Sequence, residues 1–391
     1  MSNKVLIDIL KIGIKPNKID AVCFKLPELS TTVVVSTKNN FAAAPVILSK
    51  NNLLKNSPKY ILVNSGNANA CTGKIGMENA IKCTELLSNK FKCKKENILL
   101  SSTGIIGRQL PIDIITKSIN KYKFDFKSNW KQAASAIMTT DKFSKHISRS
   151  FLLNKTKITI NAICKGAGMI EPNMATMLSF ISINVDLKKT LLMSLLKKSV
   201  NSTFNAISVD GDMSTNDTVM LISTGENKNL DFDRNSKTFA ILQKELINVC
   251  RDLSEMIVKD GEGATKIVRI NIHKAHNILQ AKKTAYSLAN SNLIKTAMYG
   301  ADPNWGRIIA RLGSISNVKY SEKKITLKIN NKIVYEKGLQ SKKCNLTELN
   351  KSMMKKNIII DLYMNSGNST YTVLTSDLSH EYVHINSAYT T

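Results

Sequence analysis

The chain has no uninterrupted apolar run of the roughly eighteen residues that a membrane span needs, so a spanning helix is not expected among its 391 residues. Its N-terminal stretch, MSNKVLIDILKIGIKPNK, carries a short apolar patch broken by Asp8 and Lys11. That pattern lacks a signal-peptide core and cleavage site, so the expected compartment is the cytoplasm. The seven Cys, at 23, 71, 83, 93, 164, 250 and 344, include no CxxC pair. An odd, scattered set reads as reduced thiols rather than a disulfide framework. The five His form no HExxH and no metal-ligand spacing, so no metal is expected. GEGATK (261–266) lacks the spacing of a P-loop, no GxGxxG follows a first strand, and no GxSxG is present. Phosphate-loop, dinucleotide-fold and nucleophile-elbow chemistries therefore find no support, and nothing supports a Ser-His-Asp triad.

Acidic residues are also scarce. Asp and Glu number 29 against 56 Lys and Arg, a net charge of +27. Such a balance can mark a nucleic-acid or membrane surface. Here the Lys are spread along the whole chain, amid abundant Asn and Ile, with no RNA-binding, zinc-finger or helix-turn-helix signature. The charge reads as compositional drift, and neither nucleic acid nor membrane is expected as a partner. With 43% apolar residues and few aromatics, the composition fits a folded globular α/β protein.

Strand-like and helical runs alternate, without a low-complexity linker or short-period repeat. TTVVVST (31–37) and KYILVNSG (59–66) are β-branched runs that end in turn residues. Residues 77–91 have helical spacing, with Ala80, Ile81, Cys83, Leu86 and Leu87 on one face. A helix is expected over 128–138, capped by Ser128. Further helices are expected over 187–204 and 239–261, and a hairpin with an Asn-Asn turn over 323–338. Residues 357–386 read as two strands and a short tail. Helices covering sheets in layers are the economical architecture.

Several small-residue turns follow apolar runs: VNSGNANACTG (63–73), LLSSTGIIGRQLP (99–111), IMTTDKFSK (137–145), KGAGMIEPNMATM (165–177), ISVDGDMSTNDT (207–218), KDGEGATK (259–266) and YGADPNWGRIIAR (299–311). One alone is an ordinary turn. Together they suggest loops converging on a site. The exclusions leave a nucleophile that needs no His. A Thr at a chain N-terminus carries its own base, an α-amine with a reference pKa of about 7.7–8.0. Thr176 suits this once cleavage exposes it. Small Ala175 leaves room for its hydroxyl to attack the Ala175 carbonyl, and Pro172 with Gly166 and Gly168 can hold a tight preceding turn. A buried Thr at a strand start is the ordinary alternative.

KGAGMIEPNMATML, taken in order with SSTGIIG, VNSGNANACTG, SVDGDMSTNDT, DGEGATK, YGADPNWGR and the terminal INSAYTT, resembles the ArgJ family of ornithine acetyltransferases (glutamate N-acetyltransferases). The motifs run from AAAPV (42–46) to Thr391. The resemblance implies a layered α-β-β-α sandwich of the ArgJ and DmpA-like type with a smaller C-terminal α/β portion. It implies a precursor that cleaves itself between Ala175 and Thr176, leaving chains 1–175 and 176–391 together as an α2β2 assembly. It implies acetyl transfer from N-acetylornithine to glutamate in arginine biosynthesis through an acetyl-enzyme, without cofactor or metal; some members also accept acetyl-CoA.

By the same resemblance, Thr176 is the nucleophile and Thr103 with Gly104 the oxyanion-hole pair. Thr139, Lys165, Thr176, Glu262, Asn386 and Thr391 bind substrate, with Thr140 an adjacent alternative to Thr139. A Lys165 charge suits a carboxylate, and Glu262 an ammonium. Lys165 would also keep the Thr176 amine neutral by like-charge repulsion. The chain departs from the family in KFSK after TTD, in PNKIDAVCFKLPE near the N-terminus, and in the residue before the terminal Tyr. A self-processing aminopeptidase or amidohydrolase is the alternative with the same nucleophile logic. A basic nucleic-acid-binding protein would leave the ordered motifs unexplained.

Overall fold

The computed structural model describes residues 4–171, 177–316, 318 and 320–388. In chain order the strands are β1 (Leu6–Leu10), β2 (Ala21–Lys25), β3 (Thr31–Ser36), β4 (Tyr60–Asn67), β5 (Ile98–Ile105), β6 (Lys145–Leu153), β7 (Thr156–Lys165), β8 (Leu178–Ile183), β9 (Ile207–Ser208), β10 (Thr218–Ser223), β11 (Ile267–Ala275), β12 (Thr326–Ile329), β13 (Lys332–Glu336), β14 (Leu339–Gln340), β15 (Asn357–Tyr363) and β16 (Ser369–Ser376). The chain divides into two compact units. The first holds Met1–Asn205 and Asp212–Ile257, the second Ala206–Gly211 and Val258–Thr390. This division differs in kind from the expected cut at 175/176, which would separate chains rather than folding units.

Two sheets build the first unit. One has the order β1-β2-β4-β5 and the other β3-β10-β8-β7-β6. Most neighbours are antiparallel, but β4 with β5 and β8 with β10 run parallel. Alternate residues of each strand meet in the layer between the sheets. Ile61, Val63 and Leu99 come from one side, and Ile163, Leu178, Phe180, Met220 and Ile222 from the other. Phe24 stacks on Phe180 across that layer, with ring centroids 5.1 Å apart. The opposite face of the first sheet, Cys23, Leu62, Ile98 and Leu100, is covered by helices Gly73–Phe91 and Ile112–Lys121. Helix Lys189–Ser202 packs on β3 and β10. Helix Lys237–Lys259 meets β7, where the Cys164 thiol points to the Leu253 carbonyl at 3.9 Å. The expected α-β-β-α layering is therefore found in this unit.

The second unit has one sheet of order β14-β13-β12-β15-β11-β16-β9. Helix Ile278–Ala289 lies on β11 and β16 and buries Ala281, Ala285 and Leu288. This is the smaller C-terminal α/β portion. The Asn-Asn hairpin forms between β12 and β13, with Asn330 and Asn331 both at positive φ, 47° and 66°. Two local expectations change. Helix Trp130–Ala136 is capped by Asn129, whose side chain accepts the Gln132 N–H at 3.4 Å, rather than by Ser128. The segment after β16 is helical over His380–Ala388. Among the described residues no helix is long and apolar enough to cross a membrane.

Candidate active site

In the first unit the predicted residues collect where strands end. Thr103 and Gly104 close β5 beside Ser65 and Gly66 of the parallel β4. Ser65 and Thr103 lie opposite each other in register and share the face of Val63 and Leu99, toward the second sheet. Gly104 has φ 130° and Gly66 φ 106°, both in the region that favours glycine. A Cβ on Gly104 would fall 2.3 Å from the Gly66 carbonyl carbon, so no other residue fits without moving β4. The register slips at this point, with Asn67 opposite both Thr103 and Ile105. A bulge of this kind turns main-chain groups out of the ladder.

From the facing sheet, Lys165 closes β7 on the same inward face as Ile163. Its ammonium donates to the Thr103 hydroxyl at 3.0 Å. Lys165 lies opposite Leu178 of β8, and Leu178 lies beside Thr218 of β10. The Met177 carbonyl accepts the Thr218 N–H at 3.0 Å. Met177, the residue bonded to Thr176, is thus fixed among three strand ends and is 3% exposed. Ala175 and Thr176 themselves lie outside the described residues, as does Thr391.

Asp141 ties the predicted residues together, and no motif singled it out. Its carboxylate accepts from the Lys145 ammonium at 2.7 Å, the Gly166 N–H at 2.7 Å and the Thr139 N–H at 3.0 Å. It thereby joins the Thr139 turn to the backbone just past Lys165. Lys145 and Asp141 are both fully buried side chains. Burial alone would raise the Asp141 carboxyl, but the charges of Lys165 and Lys145 and the hydrogen bonds outweigh it and bring it down to about 2.

Asp217 behaves oppositely. It is 1% exposed, and neither carboxyl oxygen has a hydrogen-bond partner among the described residues. Burial pushes it well above the usual carboxylate range. The Met177 N–H, the Lys165 charge and the Ser214 hydroxyl pull the other way without reaching hydrogen-bond geometry. Lys15 was also missed. Its half-buried ammonium donates to Ser65 Oγ at 2.8 Å and to the Met138 carbonyl at 2.9 Å. Burial lowers its pKa, Asp20 opposes that, and Lys165 adds to it. Among 56 basic residues nothing in the sequence marks this Lys, whereas Asp141 adjoins the quoted Thr pair.

In the second unit, Glu262 is buried and accepts the Asn386 side-chain N–H at 3.0 Å. The helix His380–Ala388 folds back on the turn that carries Glu262. Gly263, at φ 68°, has the Tyr382 backbone so close that a Cβ would sit 2.3 Å from its nitrogen. Ser379 Oγ donates to the Gly263 carbonyl at 2.6 Å. The C-terminal segment is therefore docked as far as Asn386.

A layered α-β-β-α unit whose buried polar cluster gathers at strand ends of two facing sheets defines the class of protein. A model of the ArgJ family matches residues 6–391. The arginine biosynthesis bifunctional protein ArgJ of Pseudomonas fluorescens is 39% identical over 386 residues, covering 98% of this chain and 95% of that protein. ArgJ 1 of Clostridium acetobutylicum is 40% identical over 382 residues, covering 96% and 93%. A crystal structure of the arginine biosynthesis bifunctional protein ArgJ from Bacillus halodurans is 33% identical with a TM-score of 0.52, covering 55% of this chain and 100% of that one. The chain belongs to the ArgJ family.

Proposed function

We propose that the chain is a self-processing glutamate N-acetyltransferase. In this reading the Thr176 hydroxyl attacks the Ala175 carbonyl, the Ala175–Thr176 C–N bond breaks with a proton passing to the Thr176 nitrogen, and water hydrolyses the resulting ester. Chains 1–175 and 176–391 remain together as an α2β2 assembly. The freed amine then takes the proton from the Thr176 hydroxyl as that oxygen attacks the acetyl carbonyl of N-acetylornithine. Ornithine leaves with the proton, and the amine of glutamate takes the acetyl group from the ester. Thr103 and Gly104 stabilise the tetrahedral oxyanion. Losing one such donor costs on the order of 10²–10³ in rate. Lys165 and Thr139, with Glu262, Asn386 and Thr391, hold the amino acid.

The observation that carries the proposal is the Lys165–Thr103 contact of 3.0 Å beside Gly104, at strand ends shared with Met177. It brings a cation, a hydroxyl and a glycine backbone together at the end of β7, whose Lys165 pairs with Leu178, two residues after Thr176. The family supports the reading, and the word bifunctional in its relatives' names supports testing acetyl-CoA as a second acetyl source.

A denaturing intact-mass spectrum of freshly expressed protein tests it first. Two chains are expected, the second beginning at Thr176, with single-chain mass retained in T176A. Radiolabelled acetyl should then pass from N-acetylornithine to glutamate. Release of acetate without glutamate would favour the amidohydrolase alternative. A single uncleaved wild-type chain would overturn the reading.

A further inference from the structure

Lys15 is left over by the proposed chemistry, yet its surroundings are those of a binding group. An ammonium has three N–H donors. Ser65 Oγ and the Met138 carbonyl take two, and the third has no acceptor among the described residues. The Ser65 hydroxyl is itself committed to the Ala136 carbonyl at 2.9 Å, which locks the acceptor that Lys15 uses. Lys15 crosses directly over Gly66: a Cβ there would lie 3.0 Å from Lys15 Cγ. On the neighbouring strand, Lys165 holds Thr103. Ser65 and Thr103 are register partners on parallel strands, which run about 4.8 Å apart. The two ammonium groups thus approach one end of the β4–β5 pair, on one face.

Charges of both signs surround Lys15. Lys15 faces Asp20 and Asp141 on the negative side and Lys165 and Lys18 on the positive side, and Lys145 is bound to Asp141. Asp20 is already engaged by the N–H groups of Ile12, Ile14 and Lys15. Asp141 is engaged by Lys145 and two main-chain N–H groups. Among the described residues Lys15 makes no direct ion pair with either carboxylate, and its remaining N–H is left for a ligand.

We propose that Lys15 is a specificity-determining residue that, with Lys165, holds the α-carboxylate of the amino-acid substrate. This deepens the acetyl-transfer reading and rests on it. In that reading donor and acceptor use one pocket in turn. Their side chains end in opposite charges, so a fixed cation at that end would repel one of them. The α-carboxylate is common to both, and a pair of fixed ammonium groups there serves both half-reactions.

The test is calorimetric binding of L-ornithine and of its carboxamide to the wild type, K15R and K15M. K15M should weaken ornithine by about tenfold to a hundredfold, the worth of a charge-assisted hydrogen bond. K15R should retain most of the affinity, and the carboxamide should bind the wild type and K15M alike. In turnover, KM should rise by a similar factor for N-acetylornithine and for glutamate, with kcat changed less than about threefold. Equal ornithine affinity in the wild type and K15M, or no ornithine binding at all, overturns the assignment, even if acetyl transfer is found. Carboxylate-dependent binding that is lost in K15M, in a wild type that transfers no acetyl group, would sink the reaction and leave the subsite standing.

Discussion

Two buried aspartates, Asp141 in the first unit and Asp377 in the second, both have lysines around them, and the lysines fare differently. At Asp141 the ammonium of Lys145 meets the carboxylate directly at 2.7 Å, and the charges of Lys165 and Lys145 hold the pKa of the acid down to about 2. At Asp377 the carboxylate is taken by the N–H groups of Thr265 and Lys266, at 2.8 and 2.9 Å, and by the Thr265 hydroxyl. The nearby ammonium groups go to neutral oxygens instead. Lys266 Nζ donates to the carbonyls of Met298 and Tyr299, and Lys295 Nζ to Thr375 and Ser376. Burial then lowers Lys295 to about 8, against the raising effects of Asp377 and Asp210. Direct ion pairing in a buried place keeps a charge. Solvation by carbonyls and hydroxyls alone leaves it labile.

The largest expected effect comes from the strand end that the Asp141 cluster supports. G104A would press a Cβ onto β4 and reorient the backbone N–H, so acetyl transfer should fall on the order of 10²–10³. Near-normal kcat in a folded G104A would remove Gly104 from the site.

D141N comes next, because it leaves Lys145 buried without its counter-charge. A loss of about 3–5 kcal/mol in unfolding free energy is expected at neutral pH. The sign of the acid dependence follows from the lowered pKa. The Asp141 contribution is complete above its unfolded value near 3.8 and is lost as pH falls toward about 2. Denaturant titrations between pH 4 and 2 should show that limb in the wild type and a flatter one in D141N. Parallel limbs would mean that the pair carries no net stabilisation.

Lys295 should show the reverse dependence. Its pKa is lowered from 10.5 to about 8, so the unfolded chain binds the proton more tightly between those values. Its contribution to stability therefore rises with pH across that window, by about 1.4 kcal/mol per pH unit at most. K295M should lose this slope, measured as the difference between the two proteins' urea midpoints from pH 8 to 10. An unchanged slope would show Lys295 to be paired as firmly as Lys145.

The smallest effect is expected at Asn386, which is exposed where its partner Glu262 is buried. N386A should raise KM by less than about tenfold and change stability by under about 1 kcal/mol. A loss of transfer comparable to G104A would make the contact central rather than supporting.

Much of this molecule could be read from the order of its residues. The apolar run Tyr60–Val63, ending in turn residues, marks β4 as a strand, and both its faces are buried, Ile61 and Val63 on one side and Leu62 on the other. Glycines at 66 and 104 mark where the backbone must leave the ordinary range. The resemblance to the family rests on motifs such as KGAGMIEPNMATML and SSTGIIG, and those same motifs carry Lys165, Thr103 and Gly104. The Asn129 cap and the helix His380–Ala388 were not legible, since one turns on a single side-chain hydrogen bond and the other on docking against Gly263.

The sequence by itself determined the layers, the strand ends and the family. Of the many lysines the family motif marked Lys165, and only the tertiary structure singled out the others. Lys15, Lys145 and Lys295 look alike in a chain with 56 basic residues. They differ because each ammonium is buried beside different partners, some more than a hundred residues away, such as Met138 for Lys15. A charge in a protein takes its state from burial and from the field of its neighbours, and the neighbours are chosen by folding.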